Sequence, residues 1–300
     1  MQRRQLLRSI ELLTAGSFFL QSKAVAAGLG VKPGTVCMLR RNVGIFTERG
    51  GTIGFLLDKG GIVVIDAQFP EQAGHCIEEL KKTSAAPFQY LLNTHHRGDH
   101  TGGNMAFKGL VQGVVSHDNA LKNLKTVSEK AGSVDKQYYP NLTFTDEYQV
   151  KLGDETLKGY YFGAGHTNGD AVYHFEAANV FHVGDLMFNK RHPFVDRSTG
   201  ANMRNWIRVL DAVSKKGNKD SIYIFGHALN PGGETGTQED LKLFADYLDK
   251  VLRFAEKEMK KGVDKEDFIK NTAIPGVTLW TGDGIQRPLT AAWEEVGENV

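Results

Sequence analysis

Four short apolar runs in this chain end in residue types that bind metal ions. Tyr90-Leu91-Leu92 leads into Asn93-Thr94-His95-His96-Arg97-Gly98-Asp99-His100, and Tyr160-Tyr161-Phe162 leads into Gly163-Ala164-Gly165-His166. Val180–Val183 is followed by Gly184-Asp185, and Ile222–Phe225 by Gly226-His227. Imidazole nitrogens and carboxylate oxygens together suit zinc or another first-row divalent ion. A lone histidine carries little weight, and His75, His117, His174, His182 and His192 are expected to be ordinary core or surface residues. The repetition at four strand ends is what points to a site. A sheet fixes the ends of its strands while the loops beyond them stay open to solvent.

The elements that must carry these residues follow from apolar patterning. Strands with glycine turns are expected over VCMLRRNVGIFTE, GTIGFLLD and GIVVIDA, between about Thr35 and Ala67. A helix is expected over 71–83 and a strand over Phe88–Leu92. Further strands are expected at Leu142–Val150, Lys158–Phe162 and Ala171–Phe175, and a helix at Met203–Lys215. Thr237 with Asp240 three residues on marks a capped helix start. The stripe Phe244, Tyr247, Leu248, Val251, Leu252, Ala255, Met259 behind it reads as core packing. Two strand-rich halves, about 31–150 and 151–235, are expected to pack as one domain.

Laid out in order, these segments resemble the metallo-β-lactamase superfamily. His95-His96-Arg97-Gly98-Asp99-His100, followed by Thr101-Gly102-Gly103-Asn104, lies against the family's H-x-H-x-D-H motif. Gly165-His166-Thr167-Asn168-Gly169-Asp170 is similar to the second histidine segment of glyoxalase II-like hydrolases. Phe181–Phe188 is similar to the segment carrying the bridging aspartate, and Gly226-His227 to the last histidine. The resemblance implies an α/β fold, a four-layer αβ/βα sandwich of two mixed β-sheets flanked by helices, with the site at one edge. It also implies that one ion takes His95 and His166, the other Asp99, His100 and His227, with Asp185 bridging them. Such a centre activates water towards an ester, thioester, lactone or lactam.

The chain departs from the family at Arg97, which stands where the motif has its second histidine. Arginine stays protonated and offers no lone pair to a metal. One zinc ion is therefore expected to be held firmly at Asp99, His100, Asp185 and His227, and a second weakly or not at all. Asp99 is also expected to orient the water. Arg97 can swing outward, or act as a fixed cation that holds a substrate carboxylate or oxyanion, or give up its place to His96. The alternative to a hydrolase is a non-catalytic or sensor-like protein of the same fold, binding one metal or an anionic ligand.

Composition sets the partners. Lys+Arg 36 against Asp+Glu 35 leaves a net charge of +1, which gives no bulk attraction to nucleic acid or an anionic membrane. No apolar run is long enough for a transmembrane helix. A small-molecule substrate is expected, and composition assigns no oligomeric state. His166 and Asp185 lie too close in sequence for a nucleic-acid-processing insertion. The basic turn Asn189-Lys190-Arg191-His192 could meet an anionic substrate, and Arg40–Gly44 could form a loop over the site. Residues 1–26 hold Arg3-Arg4-Gln5-Leu6-Leu7-Arg8, an apolar stretch from Ile10 to Leu20 and the small-residue site Ala24-Val25-Ala26. They resemble a twin-arginine signal peptide, which implies a periplasmic or otherwise exported domain over 27–300. The other reading is an amphipathic helix with a chance arginine pair. Cys37 and Cys76 could pair in an oxidising compartment or remain free thiols.

Overall fold

Alternation along each strand decides what it packs against. In β4 (Gly61–Ile65), Val63 and Ile65 face a second sheet while Ile62 and Val64 face a helix, and all four are buried. The computed structural model describes residues 33–298. The signal-peptide segment read at 1–26 lies outside the described residues.

In chain order, β1 (Thr35–Arg40), β2 (Val43–Thr47), β3 (Ile53–Asp58) and β4 form an antiparallel meander. Helix α1 (Pro70–Thr83) then crosses over, and β5 (Phe88–Leu92), β6 (Gly113–His117) and β7 (Leu142–Phe144) continue the sheet in parallel. The short α2 (Gly98–Thr101) follows β5, and α3 (Asp118–Lys130) follows β6. The second sheet takes β8 (Glu147–Leu152), β9 (Glu155–Tyr161), β10 (Ala171–Phe175) and β11 (Val180–His182). The two-residue strand β12 (Phe188–Asn189) lies apart and pairs with β14. After α4 (Met203–Lys216) come β13 (Ile222–Ile224), β14 (His227–Ala228) and β15 (Thr235–Gly236), of which β13 and β15 complete the second sheet. The chain ends in α5 (Gln238–Lys260), α6 (Lys265–Phe268) and α7 (Gln286–Gly297).

The two mixed sheets face each other across Val43, Ile45, Leu56, Leu92 and Val115 on one side and Leu157, Tyr173, Phe175 and Ile224 on the other. Helix α1 covers the outer face of the first sheet with Ala73, Cys76, Ile77 and Leu80. Helices α4 and α5 cover the second with Trp206, Val209, Leu210, Phe244, Tyr247 and Leu248. The stripe expected on α5 is therefore core.

Three expectations need correction. Leu142–Val150 is not one strand: the chain leaves the first sheet after Phe144 and enters the second at Glu147. Both pieces are apolar enough to pack, so composition hides the crossing. The run VCMLRRNVGIFTE is a hairpin, turned at Arg41, whose φ is +50°. That turn points away from the strand ends that carry the histidines. Arg40 donates there to the carbonyls of Ala178 and Asp220, so Arg40–Gly44 forms no loop over the site. Cys37 and Cys76 are both free, one half-buried and the other buried against α1's sheet. Among the described residues no helix is long and apolar enough to cross a membrane.

Candidate metal centre

The strand ends converge at one edge of the sandwich. His95 leaves the end of β5, and Asp99 and His100 follow on α2. His166 follows β9, Asp185 sits in a turn after β11, and His227 opens β14. Asp185 lies in the middle with its two oxygens turned to different partners. Its Oδ2 stands 3.7 Å from His95 Nε2 and 3.5 Å from His166 Nε2. Its Oδ1 stands 3.0 Å from His100 Nε2 and 3.4 Å from His227 Nε2. Asp99 Oδ2 completes the second group, 3.1 Å from His227 Nε2 and 3.9 Å from His100 Nε2.

These separations suit a metal. Ligand atoms about 2.0–2.1 Å from a tetrahedral zinc lie about 3.3 Å from one another. The ring orientations suit it as well. His100 Nδ1 donates to Asp66 Oδ2 at 2.7 Å, and His166 Nδ1 donates to the Phe194 carbonyl at 2.7 Å. Thr94 Oγ1 donates to Asp66 Oδ2, so its oxygen accepts from His95 Nδ1 at 3.0 Å. With Nδ1 committed to an acceptor, the Nε2 of each ring is the atom that faces the centre. The Nε2 atoms of His95 and His166, and Asp185 Oδ1, are buried and make no hydrogen bond. Buried polar atoms without partners are costly, and a cation between them removes the cost.

Charge is distributed unevenly. Burial pushes His166 down to about 4 and, with His100 beside it, holds His95 well below its ordinary value. At His100 burial opposes the proton, but Asp185, Asp66 and Asp99 outweigh it and raise the pKa well above the usual range. At His227, too, burial opposes charge, and Asp185 and Asp99 overcome it. For Asp185 burial is overcome by His227, His100 and His95, which hold its carboxyl well below the carboxylate range. The carboxylates thus draw positive charge to the Asp99, His100, His227 group.

Sequence reasoning named all six of these side chains, and the structure brings them together. It places Arg97 to one side. The guanidinium lies 3.9 Å over the Phe194 ring, and its NH1 donates to Asp196 Oδ2 at 3.2 Å. Its Nε is 3.9 Å from Asp99 Oδ1. His96 does not take its ligand place: it is buried with Nε2 3.9 Å from Asp196 Oδ2, its ring centroid 6.2 Å from that of His95. The basic turn also divides. His192 is buried against the Tyr247 hydroxyl at 2.9 Å, whereas Arg191 lines a cavity of about 210 Å³ that His227 shares.

Asp66, Thr94, Phe194 and Asp196 were missed by sequence reasoning. Only Asp66 leaves a signal, a carboxylate at the end of the apolar run GIVVIDA. Two glycines give the centre its room. A Cβ at Gly51 would lie 2.1 Å from His100 Cε1, and one at Gly226 would lie 2.1 Å from Asp185 Oδ1.

Comparison with known proteins agrees with the geometry. A family model described as "Metallo-beta-lactamase superfamily" matches residues 46–252. A type 2 metallo-beta-lactamase of Elizabethkingia meningoseptica is 24% identical over 197 residues, 65% of this chain and 76% of that one. A hydroxyacylglutathione hydrolase of Maricaulis maris is 32% identical over 100 residues, 33% of each chain. Among solved structures, a metallo-beta-lactamase from Pontibacter korlensis superposes with a TM-score of 0.58 at 20% identity, covering 71% of this chain and 98% of that one. The sec-alkylsulfatase Pisa1 from a Pseudomonas species gives 0.67 at 14% identity, with 87% and 50% covered. At these identities the structures speak for the fold.

Proposed function

This chain belongs to the metallo-beta-lactamase superfamily, and we propose that it is an exported zinc-dependent hydrolase of small acyl compounds, an ester, thioester, lactone or lactam. The observation that carries the reading is Asp185, whose two oxygens each face a separate pair of imidazoles. Relatives named for β-lactams and for hydroxyacylglutathione support the acyl class. Export rests on the sequence of residues 1–26.

Asp99, His100, Asp185 and His227 would hold one ion firmly. His95 and His166, with Asp185, would hold a second weakly or not at all, because Arg97 supplies no third imidazole. A zinc ion held there would supply Lewis acidity and would lower the pKa of a water at this edge. Asp99, a quarter exposed and reached by both His227 and Arg97, faces the solvent side, where it would orient a water. Asp66 keeps His100 and, through Thr94, His95 in the tautomers that ligation needs.

Metal analysis of the purified protein and a panel of esters, thioesters, lactones and β-lactams test the proposal together. Turnover of at least one class is expected, falling by about a hundredfold or more in Asp185→Asn. Bound zinc with no turnover anywhere on the panel would favour a second reading. The outward Arg97 beside a half-centre of only three donors suits a sensor-like protein that binds one ion or an anionic ligand.

A further inference from the structure

Arg97 brings a fixed positive charge to the rim of a centre built to take cations, and the structure shows what restrains it. Its NH1 bonds Asp196 Oδ2 at 3.2 Å, and its guanidinium carbon lies 3.9 Å over Phe194. Asp196 is itself held in place, since Ser198 Oγ donates to its other oxygen at 2.7 Å. The same short segment serves the metal directly, because the Phe194 carbonyl orients His166. The other carboxylate within reach of the guanidinium is Asp99, 3.9 Å from Nε.

We propose that Asp196 and the Phe194 ring form a latch that limits Arg97 to the outer oxygen of Asp99, Oδ1, and keeps its charge off the oxygen that faces His227 and His100, Oδ2, and out of the neighbouring ligand position, and that zinc uptake depends on it. The inference rests on the zinc reading above, and it assigns Asp196 as a positioning residue. A partly buried guanidinium needs a counter-ion. Without Asp196 the remaining counter-ion is Asp99, already 3.9 Å away at Oδ1, so Arg97 closes on that carboxylate and competes with the ion for Oδ2. Arg287, 5.3 Å from the Phe194 ring, cannot stand in for Asp196, since it carries the same charge as Arg97.

Zinc affinity, measured by competition with a chromophoric chelator, reads the latch without reference to turnover. Asp196→Asn should weaken zinc binding by about tenfold to a hundredfold, the range seen when groups that support metal ligands are lost. Arg97→Gln should bind zinc at least as well as the unaltered protein, and the double variant should recover that affinity. Recovery separates the latch from a merely structural role, which removing Arg97 would not repair. Phe194→Leu keeps the carbonyl to His166 but removes the ring face, and should give an intermediate loss. Thermal unfolding of each variant checks that it folds. Unaltered affinity in Asp196→Asn, or a double variant as weak as Asp196→Asn, overturns the proposal. If the unaltered protein fails to bind zinc but Arg97→Gln binds it, the latch is wrong and the metal centre stands. If neither binds, the zinc reading itself falls, and the latch with it.

Discussion

Asp66 shows how far one residue outside the ligand set can govern the centre. It is fully buried, accepts from Thr94 N at 2.8 Å and Thr94 Oγ1 at 2.7 Å, and receives His100 Nδ1. Asp66→Asn puts an amide, which can donate, where His100 and Thr94 both need an acceptor. Zinc affinity should fall by about tenfold to a hundredfold while the fold survives, measured by chelator competition and circular dichroism. An unchanged affinity would show that His100 holds its tautomer by other means. Gly51→Ala should act on the same ring by force, because its methyl would occupy the space of His100 Cε1. At this scale the ligands were legible because each ends an apolar run. Their supports were not. An aspartate after a strand looks like any turn residue, and the direction of Arg97 is set by Phe194 and Asp196, far along the chain.

Elements transmit packing to the centre. Phe188 stacks on His227 with ring centroids 5.2 Å apart, and Phe244 of α5 packs behind Phe188 and against Trp206, Tyr247 and Trp280. Phe244 is fully buried. Phe244→Ala should cost about 3–5 kcal/mol by chemical denaturation and loosen zinc as His227 loses its backing. A change at the helix start should stay local. Asp240 accepts from Thr237 N at 2.8 Å, and Asp240→Ala should cost about 1 kcal/mol with zinc affinity unchanged. If both variants weakened zinc alike, packing through Phe188 would not be the route. Most elements, including the capped start of α5 and its apolar stripe, were readable because periodicity records which face is buried. The crossing at Thr145-Asp146 was not. A strand that ends in one sheet and a strand that begins in the other present the same alternation, and only long-range pairing separates them.

The whole molecule is closed by its centre. The fold class was legible only through the order of the four strand-end segments, since composition alone describes any soluble α/β protein. Two consequences belong to this scale. If residues 1–26 are removed on export, N-terminal sequencing of protein from its native cell should begin near Ala27, and an intact Met1 would refute that. The other consequence is thermodynamic. His95, Asp99 and His100 hang from the first sheet, and His166, Asp185 and His227 from the second half of the chain. An ion bound by both groups binds only while the two halves stay packed, so its binding energy adds to global stability. At free zinc a hundredfold above Kd the gain is about 3 kcal/mol. For a domain of this size that is a rise in Tm of about 5–10 °C. Chelation should lower the unfolding midpoint by that amount in calorimetry, as one cooperative transition, and Asp185→Asn should show little response to chelator. A chelator-induced shift confined to a minor early transition, with the main midpoint fixed, would mean that the ion ties down only a local loop. The two halves of the sandwich would then be held by their apolar core alone.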